Sequence, residues 1–196
     1  MSANEELNTK WADPSVIGLY LVGAVVFGGL FPVNFGLVSP DAGPLLGAFF
    51  FVSGVCWLIL TVVNLRRGDV WNALLTGGFG VLFGLAPGAG LMLPLLAKYA
   101  GLTLDMRLLG WYLMYVGLVF LLLSIPAFKI LKSLGFTFII IFFAPGIVGA
   151  ITAGYLPPQM FKVAGWLFLY IGLYFTYLPT AIIINTINQK PILPIK

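Results

Sequence analysis

The ten Lys/Arg and six Asp/Glu residues of this 196-residue chain are clustered, and between the clusters lie six long runs without any charge. The runs cover 14–40, 42–65, 70–97, 108–128, 133–161 and 163–189. A helix needs about 20 apolar residues to cross a hydrocarbon core about 30 Å thick. Every run is long enough, and the apolar stretches are continuous rather than alternating, which excludes a transmembrane β-barrel. Helices are expected near 16–38, 45–65, 70–96, 108–128, 135–156 and 161–186. Composition agrees. Only 8% of residues are charged and 61% are hydrophobic, against roughly 25% charged in soluble domains. So few charges cannot cover a globule of this size with a polar skin. Disorder is excluded by the same numbers, because it requires low hydrophobicity and high charge.

The expected fold is therefore an all-α membrane protein, with six transmembrane helices in one bundle. Residues 1–13 are polar and acidic, and the first apolar run is too long for a cleaved signal segment. They form a short tail, 14–188 form the membrane domain, and 189–196 form a second tail. Six crossings put both tails on one side. That side collects Lys10, Arg66, Arg67, Lys129, Lys132, Lys190 and Lys196, and the other collects Lys98, Arg107 and Lys162. The excess predicts cytoplasmic termini in a cell-membrane protein by the positive-inside rule.

The same inventory narrows the chemistry. There is no histidine and only one cysteine, Cys56. Histidine-based triads, proton shuttles and most zinc sites are gone, so no metal site and no cofactor are expected. No carboxylate or cation lies inside a run, which argues against a proton-coupled pump with a mid-membrane carboxylate. Ser53 and Ser124 have no base beside them, and the chain is not expected to be an enzyme. The net charge of +4 is scattered, so nucleic acid is not an expected partner.

What remains is packing and a few hydroxyls and amides. Small residues recur every fourth position at Gly80, Gly84 and Gly88, and again at Gly146, Ala150 and Gly154. Each row lies on one helix face and suits close helix contact. Prolines fall inside five runs, at Pro32, Pro87, Pro126, Pro145 and Pro179. Each removes a backbone donor and frees a carbonyl that lipid cannot satisfy. Tyr170, Tyr174, Tyr177 and Asn185 share a face of the last helix, and Tyr174 lies near its middle. A buried phenol there requires a partner or a wet cavity. Tyr112, Tyr115, Asn34, Asn72, Thr76 and Thr137 add further polar groups. The residues alone lead to a narrow channel or facilitator for a small solute, either neutral or an anion met by hydroxyls and helix N-termini.

Several stretches are more specific. The segment Asn8-Thr-Lys-Trp-Ala-Asp-Pro-Ser-Val-Ile-Gly-Leu19 resembles the N-terminal signature of the acetate uptake transporter family (the succinate–acetate permease group), which reads Asn-Pro-Ala-Pro-Leu-Gly-Leu. Leu109-Gly110-Trp111-Tyr112-Leu113 with Gly117 resembles the family's fourth span. Ala164-Gly165-Trp166, Gly172, Tyr177 and Asn185 resemble its sixth span, and Leu193-Pro194-Ile195 resembles the family's Leu-Pro-Ile/Val beyond that span. Asn34 and Gly36 resemble an Asn-Val-Gly near the end of the first span. The resemblance covers essentially the whole chain.

It implies a homo-hexamer in the lipid bilayer, each protomer holding its own path for acetate or a related monocarboxylate. It implies a hydrophobic constriction built from Val22, Phe79 and Ile141, and a path that engages Asp13, Pro14, Asn34, Tyr112, Tyr174, Tyr177 and Asn185. The chain also departs from the pattern. Asp13 stands for the family's Asn and Val16 for its second Pro. Gly77-Gly78-Phe79-Gly80 stands for Thr-Ser-Tyr-Gly, and Ile182 for a glutamate. These changes make the path less polar. A channel for urea, a short amide or another neutral solute is the alternative, and a non-transporting membrane scaffold is a second.

Overall fold

A computed structural model describes residues 13–195, and among these the secondary structure is helical throughout, with no strand. Six helices are long and apolar enough to cross a membrane: α1 (Ser15–Phe35), α2 (Gly43–Arg66), α3 (Val70–Tyr99), α4 (Arg107–Ile130), α5 (Lys132–Thr152) and α6 (Pro158–Asn188). Lys10, Lys196 and the first part of the N-terminal signature lie outside the described residues.

The charged clusters mark the helix ends as expected, and backbone chemistry fixes where each end falls. Asp69 caps α3 by accepting from the Asn72 N–H at 3.0 Å. At the other end of a helix, the left-handed conformation is what stops it. Gly36 (φ 84) ends α1, with the Leu37 N–H bonded back to the Pro32 carbonyl at 2.8 Å. Gly154 (φ 85) ends α5, with the Tyr155 N–H on the Ala150 carbonyl at 2.8 Å. Both are Schellman closures. They stop α1 and α5 three to four residues before the apolar pattern runs out. At its start α5 is set by Leu131, whose extended backbone (φ −153, ψ 121) separates it sharply from α4.

Each helix packs on its neighbours in sequence, and α6 returns to pack on α1, so the six form a closed ring. The contact between α3 and α4 is the thinnest. The glycine row of α3 lies against α2. A Cβ on Gly84 would meet the backbone of Gly54, and one on Gly88 would meet the Gly47 carbonyl. The row expected on α5 does not pack in this way: a Cβ on Gly146 would meet nothing within 4 Å. Instead Gly149 lies against Gly110 and Met114, and Gly117 lies against Phe142, so α4 and α5 close on a different face.

Two helices widen into π-helix part way across, α1 over Val26–Leu30 and α3 over Phe79–Leu85. Both segments end two residues before a proline, Pro32 and Pro87. A proline ring crowds the carbonyl of the preceding turn and offers it no N–H. In the i→i+5 register of α3 the Ala86 N–H bonds the Val81 carbonyl, and the next acceptor, Leu82, would need a donor from Pro87. The Tyr112 hydroxyl of α4 fills that role, donating to the Leu82 carbonyl at 3.0 Å.

Candidate functional site

The inside of the ring carries two cavities, each lined by residues from all six helices. The first, about 370 Å³, opens at the end where both described termini lie. Asp13, Asn72, Leu131 and Ile195 border its outer part, and Val22, Trp57, Phe79, Phe138 and Phe175 close it inside. The second, about 200 Å³, opens at the opposite end, beside Leu109, Thr152 and Phe161, and closes on Leu30, Phe50, Phe83 and Phe168.

Between them is a layer of packed apolar side chains. On α1, α2, α5 and α6 about seven residues separate the last side chain of one cavity from the first of the other, or roughly 10 Å at 1.5 Å per residue. Aromatic rings fill the layer. Phe79 is 4.9 Å from Phe120, 5.4 Å from Trp57, 5.7 Å from Phe83 and 6.4 Å from Phe175 between ring centroids. Phe83 lies 5.2 Å from Phe50, and Phe120 lies 5.4 Å from Phe138. Most of these pairs meet edge to face or tilted, the arrangements that the ring quadrupole favours. The π-helical turn of α3 carries both Phe79 and Phe83 into this layer. The Trp57 indole donates to the Gly18 carbonyl at 3.0 Å, which fixes its ring against α1.

The three side chains expected at the constriction lie along this axis at different depths. Val22 and Phe79 line the first cavity at its inner end. Ile141 lines neither cavity and is buried between them, in the same apolar core. Sequence reasoning missed Phe83, Phe120, Trp57 and Val26, all buried there. The usable signal was that Phe79 and Phe83 sit four apart just ahead of Pro87.

The polar residues divide into two groups. Asp13 lines the first cavity and Asn34 the second. Pro14 starts α1, where it needs no donor. Asp13 holds that start by accepting from the Ser15 N–H at 2.9 Å, and it pairs with Arg67 at 3.0 Å. Partial burial pushes the Asp13 carboxyl up, but the Ser15 N–H and the Arg67 guanidinium outweigh this and hold it below its ordinary value. The Asn34 amide donates to the Leu30 carbonyl at 2.8 Å. Tyr112, Tyr174, Tyr177 and Asn185 line neither of the two cavities. Tyr174 bonds the Ser133 hydroxyl at 3.0 Å, Tyr177 donates to the Pro194 carbonyl at 2.9 Å, and Asn185 binds the backbone of Ile192 and Leu193. The mid-helix phenol therefore has a protein partner rather than a wet cavity.

Among the described residues Asp13 is the one charged side chain that lines either cavity, and the walls these residues form are mostly apolar. Such a site can desolvate a small solute and sort it by size. Among the described residues no cation lines it for an anion to rest on.

No known family model matches the sequence, and no curated protein does. Among solved structures the chain matches the bacterial acetate channel SatP, with a TM-score of 0.83 and 23% sequence identity, over 95% of this chain and the whole of that one. The chain thus shares the fold of that structure, with six helices long and apolar enough to cross a membrane.

Proposed function

We propose that the chain is a member of the acetate uptake transporter family, and that each protomer passes acetate or a related monocarboxylate along the axis of its own six-helix ring. The observation that carries this reading is the pair of opposed cavities, each lined by all six helices and separated by one thin aromatic layer. A scaffold has no use for cavities aligned end to end. The fold shared with an acetate channel supports the solute class.

In this reading Val22, Phe79 and Ile141 are successive side chains of the constriction, with Phe83 and Phe120 completing it. Asp13 and Asn34 stand at the two mouths. The solute crosses the aromatic layer as the neutral acid, because a bare anion in an apolar, uncharged layer would cost tens of kcal/mol by Born estimates. Arg66, Arg67, Lys129, Lys132 and Lys190 cluster at the end of the first cavity, which supports placing that end and both termini in the cytoplasm. The family's hexamer is carried over with the rest of the reading. Purified protein in liposomes, compared with protein-free vesicles, is expected to take up labelled acetate, to be inhibited by propionate and to spare labelled urea. Urea flux alone would move the chain to the neutral-solute alternative. Flux of neither would refute conduction of both classes.

A further inference from the structure

The segment after α6 folds back onto the mouth of the first cavity. Gln189 takes the left-handed conformation (φ 52) and turns the chain, and the Lys190 N–H returns to the Asn185 carbonyl at 3.3 Å. The Asn185 side chain then grips the returning backbone. Its Oδ1 accepts from the N–H groups of Ile192 and Leu193, each at 2.8 Å, and its Nδ2 donates to the Leu193 carbonyl at 2.8 Å. Two turns back along α6 the Tyr177 hydroxyl donates to the Pro194 carbonyl at 2.9 Å. Pro191 and Pro194 stiffen the segment and lower the entropy lost in ordering it. All this binding falls on backbone atoms, so it fixes the course of the segment whatever its side chains are. The result is that Ile195 enters the cavity lining together with Leu178, Ile182, Ile130, Leu131 and Asp13. Pro191, Ile192 and Pro194 stay exposed, while Ile195 is half-buried at the apolar mouth.

We propose that Ile195, carried by the folded-back segment 192–195, walls the mouth of the first cavity, and that Asn185 is the positioning residue that holds it there and so limits access to the solute path. Its consequence for transport rests on the conduction reading above, whereas its structural part does not. Asn185, which sequence reasoning assigned to the path, acts through Ile195 rather than on the solute.

Thiol accessibility tests this directly, because Cys56 is the one native cysteine and Cys56→Ser gives a silent background. In that background Leu134→Cys places a thiol in the first cavity, about one turn in from the start of α5. Val148→Cys places one in the second cavity. Labelling by a charged thiol reagent is followed on purified protein in detergent. Asn185→Leu, and separately a stop after Pro191, should each speed labelling of the first thiol about tenfold or more. Tyr177→Phe, which removes one bond of four, should speed it less. The second thiol should label at its old rate. An unchanged rate at the first thiol in both main variants overturns the proposal. If Asn185→Leu loosens the whole bundle, both thiols speed up, and the stopped chain, whose six helices are intact, decides.

The same variants in liposomes should raise acetate flux. Faster labelling with unchanged flux in a conducting protein would make the segment a cover that solute does not pass, and would overturn its control of access. A parent chain that conducts no acetate would sink the conduction reading and leave the labelling result standing.

Discussion

Phe79 touches four other aromatic rings at the inner end of the first cavity, and it is 7% exposed. Removing its ring opens space between the two cavities, at the constriction proposed above. In a water-soluble core, Phe→Ala costs about 3–5 kcal/mol, much of it from the cavity left behind. On the proposed reading that same cavity lies in the solute path. Phe79→Ala should therefore lower thermal stability while raising flux, or letting a longer monocarboxylate through. Unchanged flux and size selection in liposomes would remove Phe79 from the constriction. Asp13 is a different case. Its carboxyl is held below the ordinary carboxylate value when the chain is folded. Such a group stabilises the fold above the unfolded pKa, near 3.8, and loses that effect as pH falls through the lowered value. The stability gap between the parent chain and Asp13→Asn should be open at pH 7 and should close in strong acid. Melting curves in detergent at a series of pH values read this. A gap that persists in acid would mean the Arg67 pair is not its source. Because Asp13 is about half exposed, the gap should be small.

At the scale of helices, glycine position decides which faces meet. On α3, Gly84 and Gly88 bring α2 within backbone contact, and a methyl group on Gly84 has nowhere to go. Gly84→Ala should destabilise by about 1–3 kcal/mol, the usual cost of overpacking. Gly146→Ala, facing open space in the protomer, should cost nothing by that route, and its melting temperature should stay with the parent's. Equal losses at the two positions would mean the two faces are not distinguished by packing. This pair also shows what a sequence can carry. The charge-free runs located all six helices, because hydrocarbon thickness sets their length and charge cannot enter. Within α5 the four-residue row at Gly146 has the same form as the row on α3, yet Gly149 makes the contact. Helix rotation depends on partners that are remote in sequence. The π-helical turns were also invisible in the runs, since hydropathy is blind to a change of one residue per turn. The turn on α3 carries Phe79 and Phe83, whose four-residue spacing keeps them on one face. Pro32 and Pro87 were the legible trace of the two turns. The tyrosine face of α6 was legible as a face, but its partners on α5 and on residues 192–195 were not.

For the whole molecule, the proposed conduction makes the charge inventory of the two cavities decide which form of a weak acid crosses. Among the described residues Asp13 is their one charged lining residue, and it is negative and already paired with Arg67. Among the described residues an approaching carboxylate meets no free cation in either cavity, and then the aromatic layer between them. The neutral acid meets the same layer without the Born penalty. Above the acid's own pKa its neutral fraction falls about tenfold for each unit of pH. At fixed total acetate on the outside, initial uptake into liposomes should fall along that line as external pH is raised from 5 to 8. Internal pH is held constant, and the flux through protein-free vesicles is subtracted at each point. Subtraction matters, because the neutral acid also crosses bare lipid. Uptake that stays level while the neutral fraction drops a thousandfold would mean the anion crosses. It would then need a hydrated opening of the aromatic layer wider than the closed packing of Phe79, Phe83 and Phe120 allows. In that event Phe79→Ala should speed the anion more than the neutral acid, because hydration is what the ring excludes. If the neutral acid is the species, the two forms keep their order in the variant and only the absolute rate rises. The pH series run on both proteins therefore separates a size filter from a hydration barrier.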